Sequence, residues 1–82
     1  MYYIVHNMSR ILGEFIRERR ERLKQEDKAF SLRQVAQRIG VEPSYLSKLE
    51  RGQNAPLSEK KIRLLAAELG EDADLLLAMS GK

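Results

Sequence analysis

The chain has 82 residues, 43% of them hydrophobic, no cysteine and a net charge of +3. That length makes one small domain, burying about 60–65% of its unfolded surface, and the absence of cysteine excludes a disulfide framework and a Cys-ligated zinc site. No apolar run approaches the ~20 residues of a membrane span, and the opening MYYIVHN lacks the cationic flank and apolar stretch of a signal peptide. Charge is unevenly placed. Residues 1–26 carry six basic and four acidic side chains, 27–57 five and three, and 58–82 four and five. A basic surface in the first two thirds suits a polyanion partner, and equally a solvated face of mixed charge. A cysteine-free chain of this kind fits a reducing cytoplasm.

MYYIV is rich in β-formers but too short for a sheet, so residues 1–7 are expected as an extended arm. Its lone histidine, His6, has no partner pattern for metal binding or catalysis. The first helix is expected over Met8–Gln25 with Asn7 as N-cap. Met8, Ile11, Leu12, Phe15 and Ile16 recur at helical spacing, and the pattern continues to Leu23. The run RERRERLK (17–24) reads as a solvated face with i,i+4 pairs such as Glu18–Arg22, or as a source of phosphate contacts. A polar loop follows at 26–29. The second helix opens with two signals at once: Ser31 and Gln34 at capping-box spacing, and Phe30 with Val35 as a hydrophobic staple. Val35, Ala36 and Ile39 form its buried stripe, and Gly40 ends it.

The third helix starts with Pro43 at the first position, where a missing N–H costs nothing. Leu46 and Leu49 point inward with Tyr45 near them, Gly52 closes the helix, and QNAP is a loop. Ser58 caps the fourth helix, Leu57 and Ile62 make a second staple, and Ile62, Leu65, Ala66 and Leu69 face the core up to Gly70. The fifth begins at Asp72, with Asp74 in its first turn, and carries Leu75, Leu76, Leu77 and Met79 before Gly81. Three consecutive leucines cannot all face one surface, so this helix is expected to divide them between monomer core and a dimer contact. The fold class is all-α: a compact five-helix domain.

No catalytic set is present. There is no nucleophile–base pair with an orienting group and no Gly-rich phosphate loop. Asp27, Glu42 and Glu50 do not share a metal-ligand spacing. An enzyme is not expected, nor is a cofactor.

The second and third helices carry the specific pattern. Ala36 is small where two helices approach, Gly40 supplies a sharp turn at positive φ, Val41 plugs the corner, and Leu46 and Leu49 bury the next helix. This is a helix-turn-helix written in core residues. Residues 31–52, SLRQVAQRIGVEPSYLSKLERG, resemble the helix-turn-helix of the phage-repressor/Cro-like family, also called XRE-type regulators. NAPLSEKKIRLLAAELG and DADLLLAMSGK resemble that family's fourth and fifth helices, so the resemblance covers about residues 8–82.

The resemblance implies a lambda-repressor-like DNA-binding domain, usually dimeric on a near-palindromic operator of double-stranded DNA and cytoplasmic, nucleoid-associated when bound. It implies a transcriptional regulator, in the first instance a repressor. Base reading would fall on Glu42, Pro43, Ser44, Ser47 and Lys48 of helix 42–51. Phosphate contacts would fall on Ser31, Arg33, Gln34, Arg51, Gln53 and Asn54, with Tyr45 either reaching a phosphate or packing. A structural ion pair is implied between Glu50 and an arginine of the first helix, Arg20 ahead of Arg19 and Arg17. Three positions depart from the family pattern. Leu32 stands where the family often has Gln, which puts the backbone role on Arg33. Glu42 stands where Ser or Thr is usual. It either accepts from cytosine N4 or turns back to cap its helix. The loop 24–30 is a few residues longer than usual, and either touches flanking DNA through Lys24 or Lys28 or is simply slack. The alternative function is an antitoxin-like interaction subunit on the same scaffold, docking a protein partner through its N-terminal arm and acidic C-terminal third.

Overall fold

The computed structural model describes residues 2–53 and 57–81, with side chains from residue 10 onward. Among the described residues there are five α-helices: α1 (Tyr2–Glu26), α2 (Leu32–Ile39), α3 (Pro43–Glu50), α4 (Glu59–Leu69) and α5 (Ala73–Met79), with a 3₁₀ turn at Lys28–Phe30 between α1 and α2. None is long and apolar enough to cross a membrane.

α1 runs through the segment expected as an extended arm, so residues 2–7 are helical and Asn7 is an interior position rather than an N-cap. The physical reason lies in cooperativity. YYIVHN contains no Gly or Pro, and extending an existing helix gains one hydrogen bond for each residue fixed. The β-preference of Tyr, Ile and Val is weak where no partner strand exists. At 25 residues α1 is about 37 Å long, and it forms the beam against which α3, α4, α5 and the 3₁₀ turn pack. Its buried stripe is narrower than expected: Leu12 and Ile16 are in the core, whereas Ile11 is 50% exposed. The flank carrying Gly13 and Arg20 is turned to α3 instead.

The helix ends follow their local chemistry. Ser31 Oγ accepts from the Gln34 N–H, Ser58 Oγ from Lys61 and Asp72 Oδ1 from Asp74, at 3.2, 3.2 and 2.9 Å. The capping box at α2 is half formed, because the Ser31 N–H donates to the Lys28 carbonyl. The polar loop at 26–29 is partly ordered into the 3₁₀ turn, which Asp27 caps through Ala29 at 2.9 Å. Ile16, Val35, Ile39, Leu46, Leu65, Leu69 and Leu76 make the fully buried centre, which all five helices share.

Candidate nucleic-acid interface

α2 ends in a Schellman turn. Gly40 sits at φ +78°, its N–H donates to Gln37, and the Val41 N–H donates to the Ala36 carbonyl at 2.9 Å. The carbonyls left over at this C-terminus are held by a residue distant in sequence on the neighbouring α4. Lys61 of α4 donates through Nζ to the carbonyls of Ile39 at 2.8 Å and Gly40 at 3.3 Å. The cation also sits at the negative end of the α2 dipole. No local pattern in the sequence marks this clasp, because its partners are 22 and 21 residues away.

α3 is fixed to the core in three ways. Leu46 and Leu49 bury its inner face. Gly13 of α1 lies so close that a Cβ there would stand 2.4 Å from the Leu49 carbonyl oxygen and 2.8 Å from that of Glu50. The third anchor is the pair implied by the resemblance, and it forms. Arg20 donates through Nε to Glu50 Oε2 at 2.7 Å and through Nη2 to Oε1 at 3.0 Å, with both residues buried. This fork is the geometry in which guanidinium and carboxylate bind most firmly. Arg20 also donates through Nη1 to the Phe30 carbonyl at 3.2 Å, tying the 3₁₀ turn to the same point. The hydrogen bond to Glu50 raises the Arg20 pKa above its already high ordinary value, outweighing burial.

With the inner face committed, the outer face is defined. Glu42, Ser44, Lys48, Arg51 and Gln53 are exposed, while Pro43, Tyr45 and Ser47 are half-buried, Tyr45 against the core. At the start of α2, Arg33 and Gln34 are exposed and Ser31 and Leu32 half-buried. Asn54 lies outside the described residues. Glu42 does not cap α3, since its side chain makes no hydrogen bond to the helix N-terminus. Of its two readings, the self-capping one is therefore not realised. Lys24 and Lys28 are exposed at the end of α1 and in the 3₁₀ turn.

The cations sort into two sets. Arg19 pairs with Glu71, Arg20 with Glu50, Arg22 with Glu18, Arg38 with Glu68 and Arg63 with Glu59. Arg38 also stands 5.4 Å over the Phe30 ring. Among the described residues, Arg10, Arg17, Lys24, Lys28, Arg33, Lys48, Arg51, Lys60 and Lys61 pair with no carboxylate. Arg33, Lys48 and Arg51 flank or belong to the outer face of α3 and the start of α2. The leucines of α5 also divide: Leu76 and Leu77 are in the core and Met79 packs against it, leaving Leu75 43% exposed.

A short helix held rigidly across another, with a polar and cationic outer face, is the helix-turn-helix arrangement, a DNA-binding class. A family model described as a helix-turn-helix domain matches residues 11–79, and the chain belongs to that family. Membership agrees with the resemblance to XRE-type regulators. Searches of curated proteins and of solved structures gave no match.

Proposed function

We propose that the protein is a sequence-specific regulator of transcription that binds double-stranded DNA, acts as a repressor, and reads the major groove with the outer face of α3. The observation that carries this reading is that cations without a carboxylate partner flank the outer face of α3. Carboxylates neutralise the arginines that join helices to one another, whereas Arg33, Lys48 and Arg51 stay unneutralised beside exposed Glu42 and Ser44. A groove about 12 Å wide admits a helix of this kind. Lys48 would donate to guanine O6 or N7, Ser44 would take either role, and Glu42, free of any capping bond, would accept from cytosine N4. Arg33, Gln34, Arg51 and Gln53 would meet phosphates, joined by the N–H groups that open α2.

A homodimer on a near-palindromic operator places two α3 helices about 34 Å apart, in successive major grooves. Leu75, the leucine of α5 left outside the core, is the side chain proposed for the contact between copies. The test is selection of bound sequences from random duplex DNA, followed by titration across salt concentrations. A discrete motif whose binding weakens steeply with salt is expected. No enrichment, or an affinity indifferent to salt, contradicts the reading. Recovery of a stoichiometric protein partner with no duplex binding would favour the antitoxin-like alternative.

A further inference from the structure

The run RERRERLK is only partly accounted for by the pairs above. Glu18 and Arg22 bind each other on the solvated side, Arg19 reaches Glu71, and Arg20 and Glu21 bind at 3.0 Å. Arg17 and Lys24 remain, both exposed and paired with no carboxylate among the described residues. Arg17 does not face open solvent on every side. It lines a depression of about 240 Å³ where α1, the start of α2 and the C-terminal half of α3 meet. Leu32 forms one wall, Ser47 of α3 and Arg51 just after it line another, and the buried Arg20–Glu50 pair completes the lining.

The charges lining this depression leave a net +1: Arg17, Arg20 and Arg51 against Glu21 and Glu50. Arg20 holds Glu50 with both side chains 4% exposed and also binds the more exposed Glu21. Arg17 of α1 and Arg51, just after α3, line the same cavity and pair with no carboxylate, together with the half-buried Ser47, whose hydroxyl has no partner among the described residues. An anion seated between the two arginines would gain charge-assisted hydrogen bonds from both. The volume equals several water molecules at about 30 Å³ each, enough for a phosphodiester.

We infer that Arg17 and Arg51 jointly hold one DNA backbone phosphate in this depression, with the Ser47 hydroxyl as a third donor. This rests on the DNA-binding reading above and extends it to a residue of α1. It turns Ser47 from base reading toward positioning, because Ser47 lines the depression rather than the fully exposed edge where Glu42, Ser44 and Lys48 stand. The seat fixes the register of α3 along the groove wall without contributing sequence information.

The experiment measures affinity of the full chain for its selected duplex against salt, for the parent, Arg17→Ala, Arg51→Ala and the double variant. Circular dichroism of each checks that the fold is kept, since both side chains are exposed and unpaired. Each single substitution should weaken binding about three- to tenfold and equally across sequence variants of the site. A phosphate contributes about 0.9 to the slope of log affinity against log salt. The double variant should therefore lower the slope by about 0.9 per bound protomer, with the two single effects non-additive. A drop near 1.8 per protomer means two separate phosphates and overturns the shared seat. An Arg17→Ala protein with unchanged affinity and slope, beside a weakened Arg51→Ala, overturns it as well. A parent protein that binds no duplex removes both this inference and the reading beneath it, which separates the two kinds of failure.

Discussion

The α2–α3 and α4–α5 corners are built on the same turn and end in different surfaces. At both, a glycine at positive φ donates to the carbonyl three residues back: Gly40 to Gln37 and Gly70 to Ala67, each at 3.2 Å. At both, the next residue closes the wider ring, Val41 to Ala36 and Glu71 to Ala66, each at 2.9 Å. An acidic residue then stands at the N-cap of the following helix, Glu42 or Asp72. From there the corners diverge. Asp72 bonds its own helix, and a Cβ on Gly70 would meet nothing within 4 Å. Glu42 makes no such bond, and the Gly40 corner is clasped by Lys61. The helix after the first corner exposes Ser44 and Lys48, while the helix after the second exposes Leu75. The turn geometry is therefore structural in both places. What differs is whether the acidic residue is used up by its own helix and what the next helix shows to solvent.

The anchors of the two helices separate most clearly under substitution. Arg20→Ala strands Glu50 in the interior and should cost about 3–5 kcal/mol in urea unfolding, the largest effect here, because a buried charge loses its partner. Leu76→Ala, the matching loss for α5, should cost about 2–5 kcal/mol through the cavity it leaves. An Arg20→Ala cost well under 1 kcal/mol would mean that α3 is not held by its ion pair. Gly13→Ala places a methyl against the α3 backbone, which cannot step aside as a side chain can. It should lower stability by about 1–3 kcal/mol despite the better helix propensity of alanine.

The corners themselves come next. Gly40→Ala and Gly70→Ala both force an L-residue into the left-handed region and should each cost about 1–2 kcal/mol, read as a lowered melting temperature. The excess at Gly40 should be small, since the neighbour there is the movable end of Lys61. The smallest stability effects, at the two acidic caps, are the most discriminating. Asp72→Ala should cost about 1 kcal/mol. Glu42→Ala should change stability by less than about 0.5 kcal/mol, as expected of a surface residue with no bond to lose, and alter DNA sequence preference instead.

Most of the frame was legible because it is written in short-range signals. Ser31, Ser58 and Asp72 announce helix starts through their own hydroxyl or carboxylate, and Gly40 and Gly70 announce ends through the conformation only glycine takes cheaply. Val35, Ala36, Ile39, Leu46 and Leu49 reach the core as their periodicity requires. The Arg20–Glu50 pair came from the family resemblance rather than from spacing. Long-range contacts were not legible. Gly13 in a helix interior reads only as a weak helix former, and nothing near it tells of α3 at contact distance. Lys61 looks like any surface lysine until α4 is laid across the α2 terminus. The segment 2–7 is helical against its β-propensity, which has little force without a partner strand.

The central claim is that the outer face of α3 reads sequence, and the most direct measurement is paired selection from random duplex DNA with the parent and Lys48→Ala. Lys48 is exposed and bonded to no carboxylate among the described residues, so its removal leaves the fold intact. The account predicts one enriched motif for the parent and a relaxed guanine preference at one position per half-site for Lys48→Ala, a discrimination worth about 1–3 kcal/mol. An identical motif from both proteins, or none from either, would contradict it.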